Sequence, residues 1–495
     1  MIYAALYPNL DENAAVNITP GYTLYEASYR EFYTETDPKA ASLETRIGPV
    51  TMNTPVLAAA MDTVSGTPMA QAMSKIGGAA VIFRHRLAKT QLAWAKEAVN
   101  TKPFLKAKPI CLRMNDRIRK VEETYKRTHH STYPVLEGKK LVGMIFARDI
   151  SWEGKEEHSV AKWMKPLKHL KTVSPETPFE TIRHRLLNEK NCRVLPVMDK
   201  NGIFHGMYFV KDVRHANPAW HNGKPLVGMA IGVHNRDILR VKRGLQLGVA
   251  IYVIDSSHGN CSPVIKQAKR VVKLVADRGA VIAGNVASVD SYVRLAETGV
   301  HAVKAGIGSG SICTTSQVTG VGVPMWTLIR ELRFAQKYLK AKGLHAPDII
   351  ADGGISGPGF AVRALLAGAH TVMAGEWLAA ANESGSPEIK NLRREINGFM
   401  ENRYRGMASV GAINDRSSDR YGITKSAPEG VDGWVRNRGP LLDWWDKDDE
   451  LMRGGFGHLG VKNITELHKR GDDPYTWLRF SGAGQQQMAV RVTTS

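Results

Sequence analysis

Cysteine is scarce in this sequence, which has only four among 495 residues, at Cys111, Cys192, Cys261 and Cys313. They lie far apart and form no C-x-x-C pair, so neither a disulfide framework nor a zinc knuckle is indicated. Long apolar runs are also lacking, since no stretch reaches the roughly 18 residues of a transmembrane helix. The first residues, "MIYAALYPNLDENAAVN", have neither the basic nor the apolar region of a secretory signal. We therefore expect a cytoplasmic protein, without a membrane partner, whose thiols stay reduced.

Acidic residues are few relative to basic ones, 47 against 67, which gives a formal net charge of +20. A charge of this sign favours polyanionic partners such as nucleotides or nucleic acid. The basic residues are spread along the chain, however, and no RNA-binding signature is present. We therefore expect long-range attraction of a phosphorylated small molecule rather than a dedicated nucleic-acid partner.

Eight short apolar runs end in small or polar residues and alternate with helical stretches. They are "PVLAAAMD" (55–62), "AAVIFRH" (79–85), "LVGMAIGV" (226–233), "VAIYVIDSS" (249–257), "AVIAGNV" (280–286), "HAVKAGIG" (301–308), "DIIADGG" (348–354) and "HTVMAGE" (370–376). Such alternation is typical of parallel βαβ units. Eight units predict an α/β fold, a closed (β/α)8 TIM barrel whose active site lies on the loops after the strands.

The gap between the second and third runs, residues 104–222, is too long for one crossover and contains an internal repeat. One copy reads "STYPVLEGKKLVGMIFARDI" (131–150) and the other "CRVLPVMDKNGIFHGMYFVKDV" (192–213). The pattern resembles a pair of cystathionine-β-synthase (CBS) modules, a tandem (Bateman) regulatory domain. This resemblance implies that Asp149 and Asp212 hold the ribose hydroxyls of an ATP- or GTP-type nucleotide. The plain alternative is that each aspartate caps a helix.

The stretch "GIGSGSICTT" (306–315) places Cys313 in a polar, glycine-rich loop, whereas a structural cysteine usually has apolar neighbours. Glycines permit positive φ and close backbone approach, and the exposed amides with Ser309 and Ser311 can cradle an anion. A cysteine thiolate in such a loop is a good nucleophile. The alternative is a small residue that fills a tight loop.

Further motifs follow one another along the chain. They are "AAAMDTVSG" (58–66), "GSGSICTT" (308–315), "ADGGI" (351–355), "YRGMASVGA" (404–412), "SSDRY" (417–421) and "APEGVDGWV" (427–435). Over nearly the whole chain, this set resembles the inosine monophosphate (IMP) dehydrogenase/GMP reductase family, and IMP dehydrogenase most closely. The resemblance implies NAD-dependent oxidation of IMP to xanthosine monophosphate (XMP) in guanine nucleotide biosynthesis. It also implies a barrel in two parts, 1–103 and 223–495, a mobile flap at about 404–435, and a homotetramer that CBS pairs can stack into an octamer.

By this resemblance, Cys313 attacks C2 of the purine, hydride leaves C2 for the nicotinamide, and the resulting thioimidate is hydrolysed. Thr315 helps to position the water. In the flap, Arg420 is the base and Tyr421 its partner, while Glu429 is a general base or proton relay. Because arginine is ordinarily protonated, the role of Arg420 requires special surroundings, and a surface salt bridge is its alternative.

The resemblance also assigns binding residues. Those for the substrate are Ser311, Asp352, Gly354, Gly375, Glu376, Tyr404, Gly406, Met407, Ala408 and Glu429, with the phosphate and ribose at the first three, Gly375 and Tyr404. Those for NAD are Asp255, Ser256, Ser257, Asn285, Gly306 and Gly308. Potassium is expected at the backbone carbonyls of Gly308, Gly310 and Cys313. For the polar members, the alternative is a side chain that caps a loop.

The chain departs from the family pattern at three places. Glu376 stands where the family usually has Ser or Gly against the phosphate, and a carboxylate there repels a phosphate dianion. We expect Glu376 either to turn away or to pair with a lysine or arginine. Met325 replaces a glutamine, and the C-terminal "SGAGQQQMAVRVTTS" lacks the usual acidic and histidine-containing potassium pattern.

Two other functions stay open. A GMP reductase would use a similar cysteine and an NADPH hydride to expel ammonia; "GMAS" and Trp377 favour it, whereas "SSDRY" opposes it because a reductase has no intermediate to hydrolyse. A catalytically altered, nucleotide-binding regulatory homologue would fit Glu376 and Met325. The sequence does not separate IMP from GMP or from a deoxynucleotide analogue.

Overall fold

The computed structural model describes residues 21–214, 216–415 and 428–479. The chain divides into two compact units, of which one is Lys102–Ala216 and the other comprises the residues on both sides of it. Residues 217–222 belong to this second, larger unit, because the Ala219 amide donates to the Ser74 carbonyl at 2.8 Å. None of the helices in the described ranges is long and apolar enough to cross a membrane.

Eight parallel strands of the larger unit form a closed barrel, in which each strand pairs with the next and β8 pairs with β1. They are β1 Val56–Ala58, β2 Ala79–Ile82, β3 Gly228–Ile231, β4 Ile251–Asp255, β5 Ala280–Val286, β6 Ala302–Ala305, β7 Asp348–Asp352 and β8 Thr371–Ala374. Each strand lies within one of the eight apolar runs. The predicted (β/α)8 barrel is therefore confirmed.

A helix follows each strand and packs outside the barrel. The helices are α1 Thr67–Lys75, α2 Ala88–Val99, α3 Asn235–Leu247, α4 Ser262–Val275, α5 Val289–Ala296, α6 Met325–Ala341, α7 Pro358–Ala367 and α8 Leu441–His458. Local sequence sets several of their ends. The Ser288 hydroxyl caps α5 by accepting from the Ser291 amide, and Gly248 ends α3 at φ +96°. Both are common helix-boundary devices.

The strands are buried on both faces, which explains why their sequences are continuously apolar. Side chains such as Leu57, Val253 and Ile350 fill the barrel interior, while neighbours such as Val56 and Ile254 pack against the helices. A hairpin of Thr45–Ile47 and Val50–Met52 adds Ile47, Val50 and Met52 to the interior cluster. The interior is thus a solid core that supports the loops at the carboxyl ends of the strands.

Smaller elements complete the larger unit. Between β8 and α8 lies an antiparallel sheet of Arg393–Ile396, Phe399–Arg405 and Asp432–Arg436. Two-stranded pairs join Ala27–Tyr29 to Trp477–Arg479 and Trp220–His221 to Lys224–Pro225. Further helices are Thr315–Thr319, Glu376–Ala379, Val410–Asn414 and Ile464–Asp472, with short 3-10 turns at Pro38–Ala40, Ala276–Arg278 and Pro474–Thr476.

The smaller unit repeats one arrangement of elements. Its first half contains strand Leu112–Arg113, helix Ile118–Thr128, the hairpin Thr132–Glu137 with Lys140–Phe146, and the 3-10 turn Ala147–Asp149. Its second half contains helix Phe179–Asn188, the hairpin Val194–Met198 with Phe204–Phe209, and helix Val210–Val213. Between them lie helix Val160–Trp163, strand Lys165–Pro166 and the 3-10 turn Leu167–His169. Each half has its own apolar cluster, so the sequence repeat corresponds to a structural one.

Candidate active site

A pocket that is partly open to solvent lies at the carboxyl ends of the barrel strands. Loops after β1, β4, β6, β7 and β8 line it, together with Asn285 of β5, Tyr404 and the residues that follow strand Phe399–Arg405. It contains all the residues predicted to bind substrate, NAD and potassium, and three of the predicted catalytic ones. Its members from that prediction are Asp255, Ser256, Ser257, Asn285, Gly306, Gly308, Gly310, Ser311, Cys313, Thr315, Asp352, Gly354, Gly375, Glu376, Tyr404, Gly406, Met407, Ala408 and Glu429.

The loop between β6 and Cys313 lies against the end of β7. Gly306 has φ +130°, and a Cβ atom there would stand 2.2 Å from the Asp352 carbonyl oxygen. The Ser309 hydroxyl donates to the same oxygen at 3.1 Å. Glycine at 306 is therefore required both by the backbone conformation and by the close approach of β7.

Cys313 begins a chain of side-chain hydrogen bonds. Its thiol donates to the Thr315 hydroxyl, with Sγ and Oγ1 3.2 Å apart, and that hydroxyl donates to Glu429 Oε2 at 3.3 Å. The three side chains are all partly buried at the pocket wall. A nucleophile joined through a hydroxyl to a carboxylate has a route by which a proton can leave or return.

The backbone fixes Glu429 beside the cysteine. The Glu429 carbonyl accepts from the Thr314 amide at 3.1 Å, and the Glu429 amide donates to the Ala408 carbonyl at 3.0 Å. The next residue but one, Val431, donates to the Ile312 carbonyl at 3.0 Å. The position of the carboxylate therefore depends on both the cysteine loop and the 406–409 loop.

Lys304 joins two carboxylates on the pocket floor. Its Nζ is 3.2 Å from Asp255 Oδ1 and 2.6 Å from Asp352 Oδ2, and its side chain is 5% exposed. The Asn285 amide donates to Asp352 Oδ2 at 2.9 Å and to the Gly306 carbonyl at 2.6 Å. The residues predicted for the two ligands thus share one hydrogen-bonded network.

At the end of the pocket near Gly375, a carboxylate lies beside a buried tyrosine instead of a lysine. Tyr404 is buried and hydrogen bonds the Ser311 side chain and the Glu376 backbone. Burial raises the pKa of Tyr404, and the negative charge of Glu376 raises it further. Within residues 21–214, 216–415 and 428–479, no lysine, arginine or histidine pairs with Glu376. The cationic partner expected for this carboxylate is therefore not found there, and Glu376 lines the pocket.

Sequence reasoning missed Lys304 and the buried ion pair of Arg405 with Asp62. Arg405 is fully buried, with Nη2 2.7 Å from Asp62 Oδ2, and Nη1 lies 2.6 Å from Asp415. This pair anchors the chain immediately before Gly406, Met407 and Ala408. Lys304 could have been noticed in the sequence, because it interrupts an otherwise apolar strand. The pairing of Arg405 with Asp62 could not, because the two residues are 343 positions apart and no sequence pattern connects them.

The remaining predicted residues lie elsewhere. Arg420 and Tyr421 are outside the described residues, so their predicted roles stay untested. Asp149 and Asp212 belong to the smaller unit. In the part of the chain that the structure describes, no group of three or more His, Cys, Asp or Glu side chains could hold a metal ion. The predicted potassium ligands are backbone carbonyls of the cysteine loop.

The chain is similar to known proteins over nearly its full length. A family model described as the IMP dehydrogenase / GMP reductase domain matches residues 21–490. Inosine-5'-monophosphate dehydrogenases of Streptococcus pyogenes and Aquifex aeolicus are each 32% identical to it, covering 94% and 96% of both chains, respectively.

The chain is also similar to solved structures over nearly its full length. A cysteine-to-alanine variant of GMP reductase from Trypanosoma brucei in complex with guanosine 5'-monophosphate has a TM-score of 0.68 at 27% identity. It covers 96% of this chain and 98% of its own. A structure of the same variant described without the nucleotide has a TM-score of 0.72 at 25% identity, covering 95% and 98%.

Proposed function

The chain belongs to the IMP dehydrogenase/GMP reductase family, and we propose that it catalyses the NAD-dependent oxidation of IMP to XMP. The observation that carries this proposal is the hydrogen-bonded series Cys313, Thr315 and Glu429 at the pocket wall. A cysteine nucleophile with a carboxylate two hydrogen bonds away suits a reaction that forms a covalent intermediate and then hydrolyses it.

Cys313 would form a bond from Sγ to C2 of the hypoxanthine ring, and its thiol proton would pass through Thr315 toward Glu429. The bound NAD supplies the acceptor for the hydride that leaves C2. The product of that step is a thioimidate on Cys313. A water positioned by Thr315 would then attack C2, the C–S bond would break, and XMP would leave as the thiol is restored.

The pocket residues fit a nicotinamide cofactor beside the purine. Asn285 Oδ1 is buried and accepts no hydrogen bond from the residues that the structure describes. A carboxamide or ribose hydroxyl of the cofactor can donate to it. Asp255 ends β4 and Ser256 and Ser257 follow it, so a carboxylate and two hydroxyl groups line the pocket where ribose hydroxyls would need partners.

A potassium ion would bind the carbonyls of Gly308, Gly310 and Cys313. Gly308 has φ +74°, a conformation that glycine adopts without strain, and all three residues line the pocket. The Gly310 carbonyl already accepts from the Cys313 amide at 3.0 Å. A carbonyl oxygen has two lone pairs, so the second remains for a cation.

GMP reductase is the second candidate, since a structure with that activity in its name shares the fold at 27% identity. Trp377 gives that alternative no support, because it is buried and its indole nitrogen donates to Asp448 Oδ2 at 2.8 Å. It acts as part of the packing of α8. A regulatory homologue that binds nucleotide without turnover is the third candidate.

Two parallel assays of nicotinamide absorbance test these candidates, one with IMP, NAD and potassium and the other with GMP and NADPH. We expect a signal only in the first, and we expect Cys313→Ala to lower it at least about a thousandfold. Cys111→Ala, in the smaller unit, is the matched control and should retain activity. A signal only in the second assay would identify a reductase, and binding without turnover in either would favour the regulatory homologue.

We also propose that the smaller unit is a CBS pair that binds a purine nucleotide. Asp149 is exposed on the 3-10 turn after the first hairpin, and Asp212 lies in the helix after the second. The two carboxylates occupy equivalent positions of the structural repeat. Asp212 Oδ2 is buried and accepts no hydrogen bond within the described part of the chain, although it pairs with Lys106, whose Nζ is 3.9 Å away. A ribose hydroxyl would supply the hydrogen bond that this oxygen lacks. The tetramer and octamer implied by the resemblance stay part of this proposal.

A further inference from the structure

The end of the pocket beside Gly375 carries a carboxylate where the proposed function requires a phosphate site. Glu376 begins the short helix Glu376–Ala379 and lines the pocket with Tyr404 and Ser311. Its charge acts on the Tyr404 hydroxyl, and so does that of Asp352. Two carboxylates therefore stand near one buried hydroxyl at this end.

The charges of the pocket contrast with those of the whole chain. Among the described lining residues, the acidic ones are Asp255, Asp352, Glu376 and Glu429, and the basic one is Lys304. Lys304 already contacts two of these carboxylates. The chain has a net charge of +20, yet this pocket has an excess of negative side chains. Long-range attraction can bring an anion to the pocket, but Glu376 repels its full charge at the point of contact.

The groups that face Glu376 do not remove this repulsion. Tyr404 comes from strand Phe399–Arg405, Asp352 from the end of β7 and Ser311 from the cysteine loop. Met61, after β1, stands close to Gly375: its Sδ is 3.3 Å from where a Cβ atom added to Gly375 would lie. These neighbours are neutral or negative at pH 7. Each of the two hydroxyls can donate a hydrogen bond, but neither carries a positive charge.

We propose that Glu376 makes this end of the pocket select a substrate whose 5' group donates a hydrogen bond to its carboxylate. Two sources supply that chemistry: the free 5'-hydroxyl of a purine ribonucleoside, and a 5'-phosphate that retains one proton. The fully ionised phosphate is disfavoured. The inference rests on the proposed oxidation at C2 and specifies what is bound at the far end of the same substrate.

The test measures the ratio of kcat/KM for IMP to kcat/KM for inosine, with saturating NAD, from pH 5.5 to 8.5. Steps common to both substrates, including ionisation of Cys313, cancel in this ratio. Because the second pKa of a phosphate monoester is about 6, we expect the wild-type ratio to fall about tenfold per pH unit above that value. A ratio above one at pH 5.5 identifies the protonated phosphate as the preferred group, and a ratio below one throughout identifies the hydroxyl.

Two variants remove the charge with different shapes, Glu376→Ser and Glu376→Gln. Both should make the ratio independent of pH and raise it at pH 8 at least about 30-fold, while inosine turnover falls because the 5'-hydroxyl donates to a neutral acceptor instead of a charged one. The control is Glu395→Gln on the exposed strand Arg393–Ile396, which should leave the ratio unchanged. A pH-independent wild-type ratio that neither variant changes would overturn the proposal. Magnesium that restores IMP use at pH 8 in the wild type alone would also overturn it, since Glu376 would then act through a metal.

A failure of the proposed oxidation can be distinguished from a failure of the selection by Glu376. If neither purine is oxidised, calorimetric binding of inosine and IMP at pH 5.5 and pH 8 gives the same ratio without turnover. A wild-type preference against IMP at pH 8 that Glu376→Gln abolishes would support the selection by Glu376 even then. Equal effects of pH on wild type and variant would contradict it.

Discussion

Lys304 contacts two carboxylates that the family resemblance assigns to different ligands, Asp255 to the cofactor and Asp352 to the substrate. The ammonium lies within 3.2 Å of one and 2.6 Å of the other, on a side chain that is 5% exposed. Because both oxygens approach the same nitrogen, neither carboxylate can move without changing the environment of the other. Lys304 is therefore a positioning residue for both halves of the pocket.

We expect Lys304→Met to lower kcat/KM for IMP and for NAD roughly 100-fold each, because the two carboxylates proposed to bind ribose lose their orientation. Without the ammonium, the two negative charges repel each other, and the pKa of one carboxyl rises. The acid limb of the pH–rate profile should therefore move to higher pH, which a general loss of stability would not produce.

The control for this variant is Lys89→Met on the exposed face of α2, which should change neither the rate nor the profile. A Lys304→Met enzyme that loses thermal stability but keeps its pH profile would show that the lysine is structural only.

The eight barrel strands could be predicted because burial on both faces leaves a continuous apolar run. The same runs located the pocket, since active sites of this fold lie after the strands. The sheet that contains Phe399–Arg405 was not predicted as a sheet, because its outer strand is exposed and has no such pattern. Tyr404 was assigned by motif, but its contacts with Ser311 and Glu376 required the structure. Sequence gives the residues of the site more readily than the distant pairings that hold them.

Helix Ile464–Asp472 is attached to the barrel through a buried histidine. His468 Nε2 donates to the Ala369 carbonyl at 2.9 Å, and its ring lies edge-on to His370, 4.7 Å between centroids. Burial lowers the pKa of His468 to about 4. Burial also lowers the pKa of His370, whereas it raises the pKa of Asp348 to about 6.

The pH dependence of stability follows from these directions. Between pH 6.5 and pH 4, the unfolded state takes up a proton on His468 that the folded state does not, so stability falls with decreasing pH by about 1.4 kcal/mol per unit. Asp348 acts oppositely below pH 6, because its folded-state pKa is the higher one. We expect His468→Gln, whose amide can still donate to Ala369, to reduce the loss of thermal stability between pH 7 and pH 5.

Melting temperatures of the wild type and His468→Gln across that range provide the measurement. His458→Gln, at the exposed end of α8, is the control and should follow the wild type. Parallel curves for wild type and His468→Gln would show that this histidine is not a source of acid sensitivity.

The positive charge of the chain is concentrated in the smaller unit. Residues 102–216 contain 24 lysines and arginines against 13 aspartates and glutamates, a net charge of +11 out of the total of +20. The unit makes up less than a quarter of the chain. Basic residues occur all along the chain, but most of the excess of positive charge belongs to the repeat rather than to the barrel.

A nucleotide site in this unit should therefore be sensitive to salt. We expect the full-length protein to bind ATP or GTP there, about tenfold more weakly at 0.5 M than at 0.05 M salt, because screening removes the attraction between the phosphates and the basic unit. Adenosine, which has no phosphate, should show little salt dependence. Because a carboxylate that accepts from ribose hydroxyls contributes a charge-assisted hydrogen bond, Asp149→Asn and Asp212→Asn should each weaken binding at their half of the repeat about tenfold or more.

Calorimetry at the two salt concentrations measures both effects, with Glu180→Gln on the exposed face of helix Phe179–Asn188 as the control. Salt-dependent binding that neither aspartate variant changes would show that the +11 charge attracts nucleotides without a ribose site at the repeat. Salt-independent binding that both variants abolish would show the reverse, a ribose site to which the charge contributes nothing. The proposal requires both dependences together, because the charge accounts for attraction of the phosphates and the two equivalent aspartates account for recognition of the sugar.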